Sequence, residues 1–253
     1  MRYFIKFSFN GAAYHGWQMQ ENAISVQSKM VEALHFKAGV KEILTGCGRT
    51  DTGVHARNFF AHFDLEKSLD VLGCEKLVFD LNSFLPHDIA VQAVFPVKAE
   101  AHARFSAVSR TYKYYISREK DPFLHHFSWF VFRDIDIEKM NEAAAALFEY
   151  SDFTSFSKLH TDAKTNNCRI MQAVWEEEAG KLVFTITADR FLRNMVRAIV
   201  GTLIKVGRHQ LTIENFKEII EGKNRGLAGF SVPAQGLFLH SVDYNWPEIL
   251  VNK

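Results

Sequence analysis

The order of elements written in this sequence predicts an α+β fold: a mostly antiparallel sheet with helices on one face. Three observations carry that expectation. Short apolar–polar alternations recur between stretches of helical period. The first part of the chain reads strand, helix, strand, strand, helix, strand, which is the split-βαβ pattern. The second part resembles the first in element order, although no residue-level repeat links them. At 253 residues the chain can hold one large domain or two ordinary ones. No low-complexity linker interrupts it, so two halves, 1–106 and 107–253, are expected to share one sheet.

The elements follow in order. Residues 3–9 alternate as a strand, and a loop over 10–22 carries Tyr14-His15-Gly16-Trp17-Gln18. Ser25 is placed to cap a helix running to about residue 37, with Val26, Met30, Ala33 and Leu34 on one face. Residues 40–45 read as a strand entering the segment 48–56, and 58–64 as a strand leaving it. A helix over 70–84 and a strand over 89–97 complete the first half. The second half opens with a long strand over 104–117. A helix over 137–148 follows, then strands over 169–178 and 181–188. Helices over 191–206 and 213–221 and a strand over 237–244 end it.

Bulk composition excludes several classes. The formal net charge is +1, so any polyanion must be held by a local basic patch. The three cysteines are far apart and form no C-x-x-C, which fits a reduced compartment without disulfides or structural zinc. The eleven histidines are scattered, and no metal site is expected from them. The N-terminal segment is too short and too charged for a signal peptide, and no apolar run reaches membrane-spanning length. A cytoplasmic protein is expected.

The most informative stretch is Gly48-Arg49-Thr50-Asp51-Thr52-Gly53-Val54-His55-Ala56. It is not a phosphate loop, because Val54-His55 stand where Lys and Ser/Thr are required, and no dinucleotide fingerprint is present. One reading is a turn in which Asp51 bonds its own backbone. The other is a functional carboxylate, with glycines admitting a ligand and Arg49 and His55 as donors that hold it ionised. A second stretch, 190–203, places Arg193, Arg197 and Gly201 four apart on one face of an otherwise apolar helix. A solvated basic strip is one reading. The other is an enclosed arginine that needs a carboxylate, for which Asp51 is a candidate; breaking such a buried pair costs roughly 3–5 kcal/mol. A third stretch, Arg110-Thr111-Tyr112-Lys113-Tyr114, sets two tyrosines on one strand face. They are either a core pair with satisfied hydroxyls or a platform for an unstacked base.

Together these stretches resemble the TruA family of tRNA pseudouridine synthases. Gly48 to Ala56 matches that family's aspartate motif except at Thr52, where alanine is usual. Further matches are Gly16-Trp17-Gln18, Val26-Gln27, Leu81-Asn82 with Leu85-Pro86, and Asp88-Ile89-Ala90. Others are His102-Ala103-Arg104-Phe105-Ser106-Ala107, Asp152-Phe153-Thr154-Ser155-Phe156, Met195-Val196-Arg197 and Gly236-Leu237. Met19 stands where a basic residue is common and Cys47 where alanine is common.

The resemblance implies the pseudouridine synthase fold: two ferredoxin-like halves, a shared mixed sheet and a central cleft. It implies that uridine is isomerised to pseudouridine at positions 38 to 40 of the tRNA anticodon arm, without metal, nucleotide or other cofactor. The N1–C1′ bond breaks, uracil rotates, and C5 rejoins the sugar. Asp51 would be the catalytic carboxylate, and Arg197 would pair with it. Tyr112 would stack on or act as a base near the flipped nucleoside. Arg49 would hold the displaced backbone, and Leu237 would line the uracil pocket. Arg104, Arg110, Lys113 and Arg193 would contact RNA. The family is homodimeric, with tRNA lying across both subunits and no membrane partner. Two alternatives remain at this stage. A noncatalytic RNA-binding protein would need Tyr112 but not Asp51. A carboxylate glycosidase would need a second carboxylate such as Asp88 or Asp152 beside Asp51.

Overall fold

A computed structural model describes residues 1–132, 134–158 and 165–251. The chain runs β1 (Arg2–Phe9), α1 (Val26–Ala38), β2 (Thr45–Gly46), β3 (His55–Asp64), α2 (Val71–Phe84), β4 (Ile89–Pro96) and β5 (Ala107–Ser117). It continues through β6 (Trp129–Phe130), α3 (Ile137–Ala145), β7 (Ile170–Glu178), β8 (Lys181–Ala188), α4 (Met195–Gly207), α5 (Ile213–Glu221), β9 (Leu237–Tyr244) and α6 (Trp246–Ile249). The class is α+β, as the sequence predicts. Two compact units are present, Met1–Val108 with Leu239–Lys253, and Ser109–Phe238. The segment from residue 239 onward, which a linear division leaves with the second half, therefore packs in the first unit.

In the first unit the strands lie in the order β4-β1-β3-β9, with β2 beside β3, and β1 runs antiparallel to both neighbours. One face of β1 and β3 carries Phe7, Phe9 and Phe59, which pack with Trp17. On the other face Phe4 meets Phe95 and Tyr244, and Trp246 of α6 closes over Phe60 and Phe95. Both faces are thus aromatic and buried, which accounts for the continuous apolar run Tyr3-Phe4-Ile5. The Ser25 side chain caps α1 in a capping box with Ser28, and Asp70 caps α2 through the N–H of Gly73.

In the second unit β5, β8 and β7 form an antiparallel run, and β6 pairs parallel to the end of β5. Asn141 of α3 ties this helix to β7 by exchanging two hydrogen bonds with the Trp175 backbone, 2.8 and 3.0 Å. Trp175 stacks on Phe184 beneath. Helix α4 is buried along almost its whole length, with only Arg197 and Lys205 partly exposed.

Four sequence expectations are corrected. Residues 40–44 are not strand: Gly39 ends α1 in the left-handed region, and the Leu44 carbonyl is taken by the buried Gln27 side chain rather than a ladder. Residues 104–106 form a turn, so β5 begins at Ala107. The helix expected over 137–148 stops at Ala145 and tightens into a 3₁₀ turn over Ala146–Glu149. The helix expected from 191 begins at Met195, because Asn194 adopts a φ of +68°. Arg193 therefore precedes α4 as an exposed residue and does not share a helical face with Arg197.

Candidate active site

The Asp51 segment is shaped by its own turn and by a second loop. The Asp51 carbonyl accepts the N–H of Val54 at 3.1 Å, and Gly53 has a φ of +79°. That is the pattern of a type II turn, whose third residue requires positive φ. Thr52 occupies the second position and is exposed, so exchange with the more usual alanine changes nothing beneath it.

The loop over 10–17 clamps this turn from behind. The Tyr14 carbonyl accepts the Gly53 N–H at 3.2 Å, and the Thr50 carbonyl accepts the Trp17 N–H at 3.3 Å. Gly16, at φ +84°, lies so close that an added Cβ would sit 2.3 Å from the Thr50 carbonyl oxygen. His55 is 1 % exposed, and its Nδ1 accepts the Gly11 N–H at 3.0 Å. This ring nitrogen braces the loop, a use that the reading of His55 as a donor toward Asp51 did not anticipate.

The clamp is itself anchored. Tyr14 Oη donates to Asp88 Oδ1 at 2.7 Å, and the Asp88 carbonyl accepts the Asn10 N–H at 2.8 Å. Burial, together with the bond to Asp88, raises the Tyr14 hydroxyl above its usual range. Trp17, 2 % exposed and 4.4 Å from the Phe59 ring, fixes the other end. Gln27 joins both loops: its Nε2 donates to the Leu44 carbonyl while its Oε1 accepts from Gln18 Nε2 and the Met19 N–H.

Asp51 is half-buried and Arg49 is exposed. Among the described residues, none other than Gly48 and its two chain neighbours has an atom within 4 Å of where a Gly48 side chain would begin. The glycine is needed there neither for packing nor for a turn, which leaves the backbone open to a ligand. Tyr14, Asp88, His55 and Gly16 were not singled out for this role. The resemblance motifs containing three of them, around Gly16, His55 and Asp88, were the available signal.

In the second unit the two tyrosines of β5 divide. Tyr114 is fully buried, donates to the Pro233 carbonyl at 2.9 Å, and has its ionisation pushed up by burial. It is a core tyrosine. Tyr112 is half-buried, with its ring edge-on to Phe191 at 5.1 Å. Arg110 donates to the Asp189 carbonyl at 2.7 Å, and Lys113 meets Glu178 at 2.7 Å, so that lysine's charge is matched within the sheet. Arg197 is half-buried and donates through Nε to the Val232 carbonyl at 2.7 Å. Leu237 is buried at the start of β9. Asp152 binds Thr154 and Lys223, which hold its carboxyl below the usual range.

In the first unit Arg104 is exposed, with its guanidinium carbon 5.5 Å from the Phe105 ring centroid. Among the described residues, no group of three or more His, Cys, Asp or Glu could hold a metal ion. Among the same residues, no helix is long and apolar enough to cross a membrane.

Comparison with known proteins follows the same lines. A family model described as tRNA pseudouridine synthase matches residues 143–245. The chain is 54% identical over 251 residues to tRNA pseudouridine synthase A of Parabacteroides distasonis, covering 98% of this chain and 97% of that protein. It is 54% identical over 245 residues to the protein of that name from Bacteroides fragilis, covering 96% of each. A more distant protein of the same name, from Thermoanaerobacter pseudethanolicus, is 37% identical over 243 residues, covering 95% of this chain and 98% of that protein.

Proposed function

The chain belongs to the tRNA pseudouridine synthase A (TruA) family, and from that premise we propose that it isomerises uridine to pseudouridine in the anticodon arm of tRNA, at positions 38 to 40. The observation that carries this reading is the Asp51 turn, clamped from behind by the loop over 10–17 and open at Gly48. A carboxylate so held is presented at fixed geometry, and preorganisation of this kind lowers the barrier to attack.

In this reading Asp51 acts on the target nucleoside as the catalytic carboxylate. The N1–C1′ bond breaks, uracil turns, and a C5–C1′ bond forms. The proton lost from C5 is balanced by one gained at N1, so the formula of the nucleoside is unchanged. The target base leaves the stack first, which costs a few kcal/mol and least where stem meets loop. Tyr112 offers the half-exposed ring on which that base stacks, Leu237 lines its pocket, Arg197 serves the same site, and Arg49 holds the displaced backbone. Arg104, Arg110 and Arg193 contact RNA, with Lys113 a weaker contributor because of Glu178. The enzyme works as a cytoplasmic homodimer.

The test is pseudouridine formation in unmodified tRNA bearing uridines at the base of its anticodon stem, with a metal chelator present. Wild type should form product and Asp51→Asn should form none while still binding tRNA. Full turnover by Asp51→Asn would overturn the reading. Release of free uracil would point to a hydrolase instead. Tight binding without product from either protein would point to a noncatalytic RNA binder.

A further inference from the structure

The segment over 101–106 is short and irregular and exposes Arg104 and Phe105, yet every one of its backbone N–H groups is bonded. Ala101 donates to the Lys98 carbonyl and His102 to Ser106 Oγ. Ala103 donates to His62 Nδ1, and both Arg104 and Phe105 donate to His102 Nδ1. Ser106 donates to the His102 carbonyl. Two further carbonyls of the segment are tied, Ala101 by Arg2 at 3.1 Å and Ala103 by the Tyr244 hydroxyl at 2.6 Å. A surface connection is ordinarily the least restrained part of a fold. Here three strands, β1, β3 and β9, spend side chains on holding one turn.

What the turn holds out is Phe105, which is 76 % exposed. A single exposed phenylalanine is unremarkable. This one is backed by a column of rings. His102 lies 4.4 Å from it at 36°, and the buried His62 lies 4.6 Å behind His102. The Arg104 guanidinium sits 5.5 Å from the Phe105 centroid. The result is a rigid aromatic face, fixed from behind and flanked by a cation, with its ordering cost already met.

We propose that Phe105 is a stacking platform for an unpaired nucleobase of the tRNA, with His102 as the positioning residue that fixes its ring and Arg104 as the accompanying cation. The proposal rests on the tRNA reading above and adds a substrate contact to it. Nucleobases suit this surface because each has a π-face, and bases that stack on aromatic side chains are commonly accompanied by arginine. A protein partner would instead call for a broader apolar surface around Phe105, and its immediate neighbours in sequence are Arg104 and Ser106.

The experiment compares wild type, Phe105→Leu and Phe105→Tyr for tRNA affinity, kcat, KM and thermal midpoint. Leucine keeps apolar bulk and loses the π-face, whereas tyrosine keeps both. Phe105→Leu should bind tRNA roughly ten-fold more weakly, with KM rising in step. Its thermal midpoint and kcat should stay near wild type, and Phe105→Tyr should restore affinity. Wild-type affinity in Phe105→Leu would overturn the proposal. So would an equal loss in both variants, which would assign the effect to packing. Because the readout is binding, wild type that binds tRNA yet makes no pseudouridine would overturn the enzymatic reading alone, and the affinity ratio would still decide the role of Phe105.

Discussion

Tyr14 shows how much of the site depends on one hydroxyl. Its Oη holds Asp88, and its own carbonyl holds the Gly53 N–H inside the Asp51 turn. Tyr14→Phe keeps the carbonyl and the ring but leaves a carboxylate oxygen of Asp88 without its donor. A lost hydrogen bond of this kind costs about 1–3 kcal/mol. We expect kcat to fall about ten-fold through looser placement of Asp51, with tRNA affinity unchanged. Parallel measurement of kcat and of the tRNA dissociation constant checks this, and a change confined to affinity would refute it. Asp51 itself was legible in the sequence, since a short acid between two glycines is conspicuous. Its support was not, because His55 braces Gly11 and Asp88 braces Tyr14 across long stretches of intervening chain. Nor could the sequence separate Tyr112 from Tyr114. They share a strand face, and only the folded chain shows Tyr114 fully buried with its hydroxyl on the Pro233 carbonyl while Tyr112 stays half-buried.

Elements whose ends are written in local chemistry were read closely. The Ser25 cap of α1 stands where the sequence places it, and the helices expected over 70–84 and 213–221 start behind the side-chain caps Asp70 and Thr212. The differences arise where a side chain captures the backbone, from afar or from the same turn. Gln27 draws the Leu44 carbonyl out of a strand, and His102 draws two N–H groups into a turn. At the start of α4 the left-handed Asn194 overrides an unbroken helical pattern, and its side chain donates to Ser231 Oγ at 2.6 Å. Gly201 in the same helix makes a test. Alanine there would gain roughly 1 kcal/mol of helix propensity. An added Cβ, however, would lie 1.9 Å from the Phe230 carbonyl oxygen, and overpacking of this kind costs about 1–3 kcal/mol or more. Gly201→Ala should therefore lower the denaturation midpoint, and a midpoint at or above wild type would show that the segment around Phe230 yields freely.

At the scale of the whole molecule, acid should act through the paired histidines of the first unit. His62 is 7 % exposed, and its pKa is held down to about 4 by burial first, then by His102 and Arg2, with Asp64 opposing. The His102 imidazole is also lowered, by burial and by Arg2 and Arg104. Both rings accept backbone N–H bonds at Nδ1 and must be neutral to do so. Below the ordinary histidine pKa of about 6.5 the unfolded chain takes up protons that the folded one refuses, so stability falls as pH falls. For His62 the loss runs from about pH 6.5 down to about 4 and amounts to on the order of 3 kcal/mol. Urea midpoints measured across that range should decline, and His62→Gln should flatten the decline. A wild-type midpoint constant between pH 7 and 4.5 would contradict this.

The first unit takes its β9 segment and α6 from beyond residue 238, after the whole of the second unit. Asn58 of β3 donates to the His240 carbonyl, Tyr244 packs on Phe4 and Phe60, and Lys98 bonds the Ile249 carbonyl. On the ribosome, the Asp51 turn and both loops that shape it are therefore made early but wait beside an unfinished sheet edge. They gain their closing strand only after Ser109–Phe238 has been synthesised. A chain cut short anywhere before residue 239 would keep Asp51, Tyr14 and Asp88 and still lack the strand that completes their sheet. Translation itself thus withholds a finished carboxylate site from incomplete copies of this protein.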